Sequence, residues 1–403
     1  MNLVKGQSFY CRQQSKKQYP YLTENIKTEI LIIGGGVTGA LALYQFLKKG
    51  FSCVLVDESR FGMCSTSITT ALLQYELEDN FEDLMKKMSV SDVENAYTLG
   101  SMGLKEVEQI LNDIGNDCDF EINDTLLLSN KTRDIKALQT EFEYRHAMGY
   151  PVKFYDEMNN PTPFLLKAGV FTEKGGARLN PYKFTIQLLE SADGRARLFE
   201  NTKINSLTCR KDKVLAKAQH GGCIIADKVI LATGYDTILG TKRRFCKKQI
   251  TYNIEAAPTE DMKDLKILAR DNMKNYHYFR QIPGGNIIFG GSDTKLSMRG
   301  IQKKVSGRKY YELLDYLNNS FLEADENFTL KKAVSGVFGV TPDNLGVAGF
   351  DKEQPNIIYC LGYGANGILF AAMGAKMLAD ECRGESQELL KLLDPFRSAL
   401  SGL

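Results

Sequence analysis

Tryptophan is absent from these 403 residues, histidine occurs only three times, and charge nearly cancels at +2. The near-neutral balance removes any general reason to expect a nucleic-acid partner. Its one basic cluster, Lys242, Arg243, Arg244, Lys247 and Lys248, reads as a solvated connecting loop. Nine cysteines are scattered with no CxxC pair. That pattern excludes a zinc-type ligand spacing and fits free thiols in a reducing cytoplasm. His146 and His220 stand in polar surroundings and read as surface residues. No apolar run reaches the roughly 18 residues of a membrane span, and the longest candidate, 368–378, is interrupted by Lys376. The opening stretch MNLVKGQSFYCRQQSKKQYPYL has no apolar core of a secretory signal. These absences leave a soluble cytoplasmic protein, whose length suits two domains.

What is present is concentrated in EILIIGGGVTGALALYQFLKKGFSCVLVDE, Glu29 to Glu58. An apolar run ends at three glycines, a helical pattern carries Ala40, Leu41, Tyr44 and Leu47 to Gly50, and a second apolar run ends at Asp57. This is the strand, turn, helix and parallel strand that grips a dinucleotide. Gly34 permits the sharp turn, Gly36 lets the backbone approach a pyrophosphate, and Gly39 lets the helix pack closely on the strand. The N–H groups at Val37 and Thr38 then face phosphate. Asp57, followed by Glu58, is placed to accept hydrogen bonds from a ribose. The loop from Gly62 to Ala71 offers Ser65, Thr66 and Thr70 as further donors.

Farther along, two amphipathic helical patterns fill 80–115, an apolar run covers Thr125–Leu128, and a polar helix spans 134–146. Nucleotide-binding character returns near Gly169, with a helix over 182–190 opened by Pro181 and a strand over 197–200. A buried strand then ends in Ala232-Thr233-Gly234. Strands are expected at 249–256, 276–281 and 286–289, and a helix after Gly307. The chain closes with the apolar strand Ile357–Leu361, the turn Gly362-Tyr363-Gly364-Ala365-Asn366-Gly367 and a helix over 368–380. That second glycine-turn helix start repeats the device at Gly34–Gly39. The first ~28 residues read as an irregular arm.

The ordered series GGGVTG, Ser65–Thr70, ENTKI, LATGY, IIFGGSD, TPDNLGVAG and LGYGANGI resembles the FAD-dependent oxidoreductases of the D-amino acid oxidase, glycine oxidase and sarcosine oxidase superfamily. Within it, the chain looks closest to bacterial members related to gamma-glutamylputrescine oxidase. The resemblance implies an α/β fold: a Rossmann-like FAD-binding domain over 1–75, 165–240 and 330–403. An inserted α+β substrate domain would span 76–164 and 241–329. It implies FAD in an extended conformation, with the backbone at Ile204 and the turn Ala232, Thr233 and Gly234 at the adenine end. Gly362, Gly364, Asn366 and Gly367 would approach the flavin pyrimidine edge. Cys64 is the nearest thiol for a covalent flavin link, and no residue demands one.

Such enzymes oxidise a C–H bond next to an amine or hydroxyl, so a small amine or amino acid is the implied substrate. The electron acceptor can be oxygen, a quinone or a protein. Period-two alternation puts Tyr276, Tyr278 and Arg280 on one strand face, where Arg280 and Tyr278 are candidates to bind a substrate carboxylate; the alternative leaves Arg280 facing solvent or an acid. Tyr252 is a further pocket candidate, and His277, on the opposite face, reads as structural. Relatives often carry arginine or tryptophan near Ser335–Val340 and proline at Gly346, so the resemblance supplies no second carboxylate-binding arginine here. Competing readings are an FAD-dependent 2-hydroxy acid or glycerol-3-phosphate-type dehydrogenase, an NAD-dependent dehydrogenase, and a flavin-binding recognition protein without turnover.

Overall fold

A computed structural model describes residues 4–10, 17–235, 239, 243–260, 262–321 and 327–403. Lys242 of the basic cluster lies outside them. Two sheets organise these residues. The smaller, eight-stranded sheet runs Val347–Phe350, Ile357–Leu361, Cys223–Leu231, Asn25–Ile33, Cys53–Val56 and Ala196–Phe199. Lys213–Ala218 and Ile204–Arg210 form an antiparallel flap on Cys223–Leu231. The four inner pairings, from Ile357–Leu361 across to Ala196–Phe199, are parallel. Parallel strands need both faces covered, which explains their continuous apolar runs. The helices Val37–Lys48 and Gly367–Cys382 pack together on one face, joined by Pro181–Ser191 and Val90–Ile114 in one core. Val37–Lys48 is therefore buried on nearly all sides rather than along a single stripe.

The ten-stranded sheet is mainly antiparallel and runs Val4–Gly6, Phe328–Val340, Lys247–Pro258, Ile287–Lys295, His277–Gln281, Ile267–Asp271, Glu121–Ser129, Ala168–Arg178 and Leu72–Gln74. Val152–Asp156 pairs with Ala168–Arg178 off that path. Helix Lys303–Asn318 covers one face through Leu313 and Leu317. All eight strands of the smaller sheet come from 25–33, 53–56, 196–231 and 347–361, whereas the larger sheet also recruits 4–6, 72–74, 168–178 and 328–340.

Several local expectations change. The arm is not wholly irregular, because Val4–Gly6 pairs with residues 334–336. The helix expected after Gly307 begins four residues earlier at Lys303, since Gly307 meets open space and costs the helix no contact. Lys247 and Lys248 open a strand rather than lie in a loop, and the Arg243 guanidinium sits 4.4 Å above the Phe396 ring. His146 and His220 are exposed. No helix among the described residues is long and apolar enough to cross a membrane.

Candidate active site

The first glycine turn is held by close backbone approach. Gly34 has φ +113°, where a side chain is strained, and a Cβ there would overlap the Ala232 carbonyl. A Cβ on Gly39 would overlap the Gly34 carbonyl oxygen, so the helix starts hard against the turn. Gly36 is its N-cap, supplying no capping side chain, and no acid lies in the first turn. The positive end of that helix is thereby left facing a groove. The Thr66 hydroxyl accepts the Val37 N–H at 3.1 Å. Asp57 ties the second strand to the turn, accepting from the Gly35 N–H at 2.6 Å and from the Ser59 N–H and hydroxyl. Burial raises its pKa. Oδ1 takes both Ser59 donors, and Oδ2, bonded to Gly35 alone, keeps a lone pair for a ribose hydroxyl.

That groove encloses about 1840 Å³, solvent included, and runs from Asp57, Glu58, Lys203 and Ile204 past Gly34, Gly36, Val37 and Thr38 to Gly362, Gly364 and Gly367. Ser65, Thr66, Ala232, Thr233, Gly234 and Cys64 line it as well. The residues fit an extended dinucleotide: two glycine-turn helix starts, 330 residues apart at Gly34 and Gly364 (364 − 34), open onto one continuous trough. Three expected cofactor residues lie elsewhere. Gly39 is sealed beneath the turn. Thr70 lines the neighbouring chamber. Asn366 also faces that chamber, and its amide is committed to the Gln74 and Glu76 carbonyls at 2.8 and 3.0 Å.

The chamber encloses about 840 Å³ and shares Ser65, Thr69, Tyr235, Gly364 and Ala365 with the groove. Its far wall is Tyr276, Tyr278, Thr251, Asn253, Arg270, Asp293 and Phe338. Tyr278 donates to Asn253 Oδ1 at 2.8 Å and bonds the Thr251 hydroxyl at 2.8 Å. Gly290 makes room for this pair, because a Cβ there would strike both side chains. Burial holds the Tyr276 and Tyr278 phenols well above their ordinary pKa, so they stay neutral. Glu78 accepts the Ala365 N–H at 2.6 Å, and burial raises its pKa.

The strand face was read correctly, but not the position along it. Tyr276 and Tyr278 reach the chamber, whereas Arg280 is buried beyond it. Arg280 donates to the Ala71 and Leu179 carbonyls at 3.1 and 2.9 Å and to the Tyr10 hydroxyl at 2.9 Å. Its cation thus joins the arm, the loop and a strand end, away from the chamber. Tyr252 is likewise off the chamber, its hydroxyl bonded to Thr294 at 2.8 Å. His277 lies behind the strand between Asp271 and Ser292, at 2.7 and 3.0 Å. The sequence reading missed Glu78, Arg270 and Asp293. Only Asp293 stood in a quoted motif, IIFGGSD, two residues past its glycines and within strand Ile287–Lys295.

A sequence profile for FAD dependent oxidoreductases, DAO, matches residues 29–381. The chain is similar to the gamma-glutamylputrescine oxidoreductase of Escherichia coli, 21% identical over 407 residues, covering 94% of this chain and 90% of that protein. It superposes on glycine oxidase from Geobacillus kaustophilus with a TM-score of 0.75 at 16% identity, covering 90% and 96% of the two chains. Iminodiacetate oxidase from Chelativorans gives 0.72 at 18% identity, covering 91% and 99%.

Proposed function

The chain belongs to the DAO family of FAD dependent oxidoreductases, and from that premise we propose that it oxidises the C–H bond next to the nitrogen of a small amine or amino acid. The observation that carries this reading is the continuity of groove and chamber through Ser65, Thr69, Tyr235, Gly364 and Ala365. FAD is the cofactor, and when bound it supplies the acceptor for a hydride. In this reading Gly34, Gly36, Val37 and Thr38 hold its pyrophosphate, and Asp57 and Glu58 its ribose. Ile204, Ala232, Thr233 and Gly234 form the adenine end. Ser65 and Thr66 lie along the ribityl chain, and Gly362, Gly364 and Gly367 meet the flavin end.

The chain's own residues then have limited tasks: to orient the C–H bond, exclude water and keep the nitrogen unprotonated. Tyr276 and Tyr278 wall the chamber for the first two. Anaerobic mixing with panels of amines, amino acids and 2-hydroxy acids tests the reading. Amines or amino acids should bleach the bound flavin and 2-hydroxy acids should not; the reverse pattern would transfer the chain to the hydroxy acid dehydrogenases.

We also propose the division into 1–75, 165–240 and 330–403 for FAD and 76–164 and 241–329 for substrate. The smaller sheet, drawing every strand from the first set, supports it. We place the protein in the cytoplasm, on seven described cysteines, Cys53, Cys118, Cys209, Cys223, Cys246, Cys360 and Cys382, that form no disulfide. Since Arg280 braces the scaffold, Arg280→Met should strand its buried acceptors and cost about 1–3 kcal/mol. Thermal denaturation should register that loss, while KM changes less than about threefold.

A further inference from the structure

The charges around the chamber do not suit a simple zwitterion. Three carboxylates line it, Glu76, Glu78 and Asp293, against the single guanidinium of Arg270. Glu76 has a cation behind it, Arg145, at 3.6 Å. Arg270 donates to the main-chain carbonyls of Glu78 and Leu77, each at 3.0 Å. Arg280 lies off the chamber, and Val337 and Phe338 fill the wall from the adjoining strand. A substrate carboxylate therefore meets one guanidinium, already holding two main-chain carbonyls, among three carboxylates. The same set favours a substrate ammonium.

Asp293 supplies the second observation. Its Oδ1 is buried and has no hydrogen-bond partner, an arrangement that a native fold retains only with a reason. Beside it stand Tyr276 and Tyr278, their ring centroids 5.8 Å apart and tilted 54°. Two such rings offer the aromatic faces that attract an alkylammonium. The titratable groups facing Asp293 are Glu78, Tyr276 and Tyr278, with Arg270 on the same chamber wall.

We propose that Asp293 binds the substrate ammonium between Tyr276 and Tyr278 and takes one proton from it, so that the chamber selects amines lacking a carboxylate beside the nitrogen over α-amino acids. This rests on the amine-oxidation reading above and narrows its substrate class. In the step, one N–H bond of the ammonium breaks and an O–H bond forms at Asp293 Oδ1. The electron pair stays on nitrogen, leaving the neutral amine from which a hydride can depart. Burial raises the Asp293 pKa to about 7, with Thr251 lowering and Glu78 raising it. A base in that range is matched to a proton transfer near neutrality.

The test uses FAD-loaded wild type, D293N and D293E. Calorimetry follows binding of tert-butylammonium, which has no C–H bond next to nitrogen, and of pivalate as its carboxylate counterpart. Wild type should bind the ammonium ion, D293N about tenfold or more weakly, and D293E close to wild type; pivalate should bind D293N no worse than wild type. The kcat/KM for a carboxylate-free amine should rise with pH through about 7 in wild type, and that limb should vanish in D293N. Equal ammonium binding by D293N and wild type, or faster flavin bleaching by glycine and alanine than by carboxylate-free amines, overturns the proposal. If Asp293-dependent binding is seen but no amine bleaches the flavin, the oxidation reading fails while the ammonium site stands. If amines bleach it equally in wild type and D293N, the reading stands and the role of Asp293 falls.

Discussion

Gly39→Ala should yield protein that no longer retains FAD, with affinity lowered by at least about 100-fold, or about 2.7 kcal/mol. The added methyl would overlap the Gly34 carbonyl oxygen, and Gly34 itself is packed against the Ala232 carbonyl. The helix start and the turn must therefore separate, moving the N–H groups that face the groove. Backbone carbonyls cannot rotate aside as a long side chain can. Gly307→Ala is the matched control. Gly307 is also helical but has nothing within 4 Å of a new Cβ, so that change should leave FAD binding intact and stabilise the helix by about 0.5–1 kcal/mol. Titration of apoprotein with FAD, followed by flavin fluorescence, separates the two variants. Retention of FAD by Gly39→Ala at wild-type affinity would contradict the packing account of the turn.

Arg145→Met should be the most destabilising single change outside the glycine turns, by about 3–5 kcal/mol. The side chain is fully buried, with Nε donating to Glu141 at 2.7 Å and Glu76 3.6 Å away. Tyr75 and Tyr97 present their rings at 5.7 and 5.9 Å. Methionine fills much of the volume but leaves two buried carboxylates without their cation. Tyr97 and the Phe81 N–H still bond Glu141, at 2.9 and 2.7 Å, so the fold should survive in weakened form. Denaturant melts of wild type and variant at neutral pH measure this; a loss below about 1 kcal/mol would contradict the assignment.

Asp293 carries a pH dependence of its own, because burial raises its pKa to about 7, above the ordinary aspartate range. Wild-type stability should fall as pH rises from the ordinary aspartate range through that value. D293N should be free of that fall and melt a few degrees higher above neutrality.

Much of this was legible in the chain. The run from Glu29 to Glu58 announces its βαβ unit because glycines, helix and acid each answer a separate steric or electrostatic need, and all agree. Ile357–Leu361 was read with its observed bounds, since a fully buried parallel strand is a plain apolar run. The long strand Phe328–Val340 was not legible. Lys331, Lys332 and two glycines break its pattern, and its pairing with Lys247–Pro258 is a long-range fact.

The chamber was hidden for a related reason. Period-two alternation gives the face of a residue but not its height, so Arg280 seemed level with Tyr278 until Tyr10 of the arm came to meet it. Asp293 lies within a register shift, between Gly291 paired with Tyr252 and Thr294 paired with Ile250, which local alternation cannot anticipate. Glu78 and Arg270 meet only because the loop after Leu72–Gln74 crosses the end of strand Ile267–Asp271.

The account stands most directly on one determination, a crystal structure of the protein with FAD and a carboxylate-free amine. The prediction is that the adenosine lies by Asp57 and Ile204 and the flavin ring at Ser65, Tyr235 and Gly364. The amine nitrogen should sit within hydrogen-bond reach of Asp293. A flavin ring seated at the Asp57 end, or an amine bound anywhere other than the Tyr276–Tyr278 chamber, would contradict it.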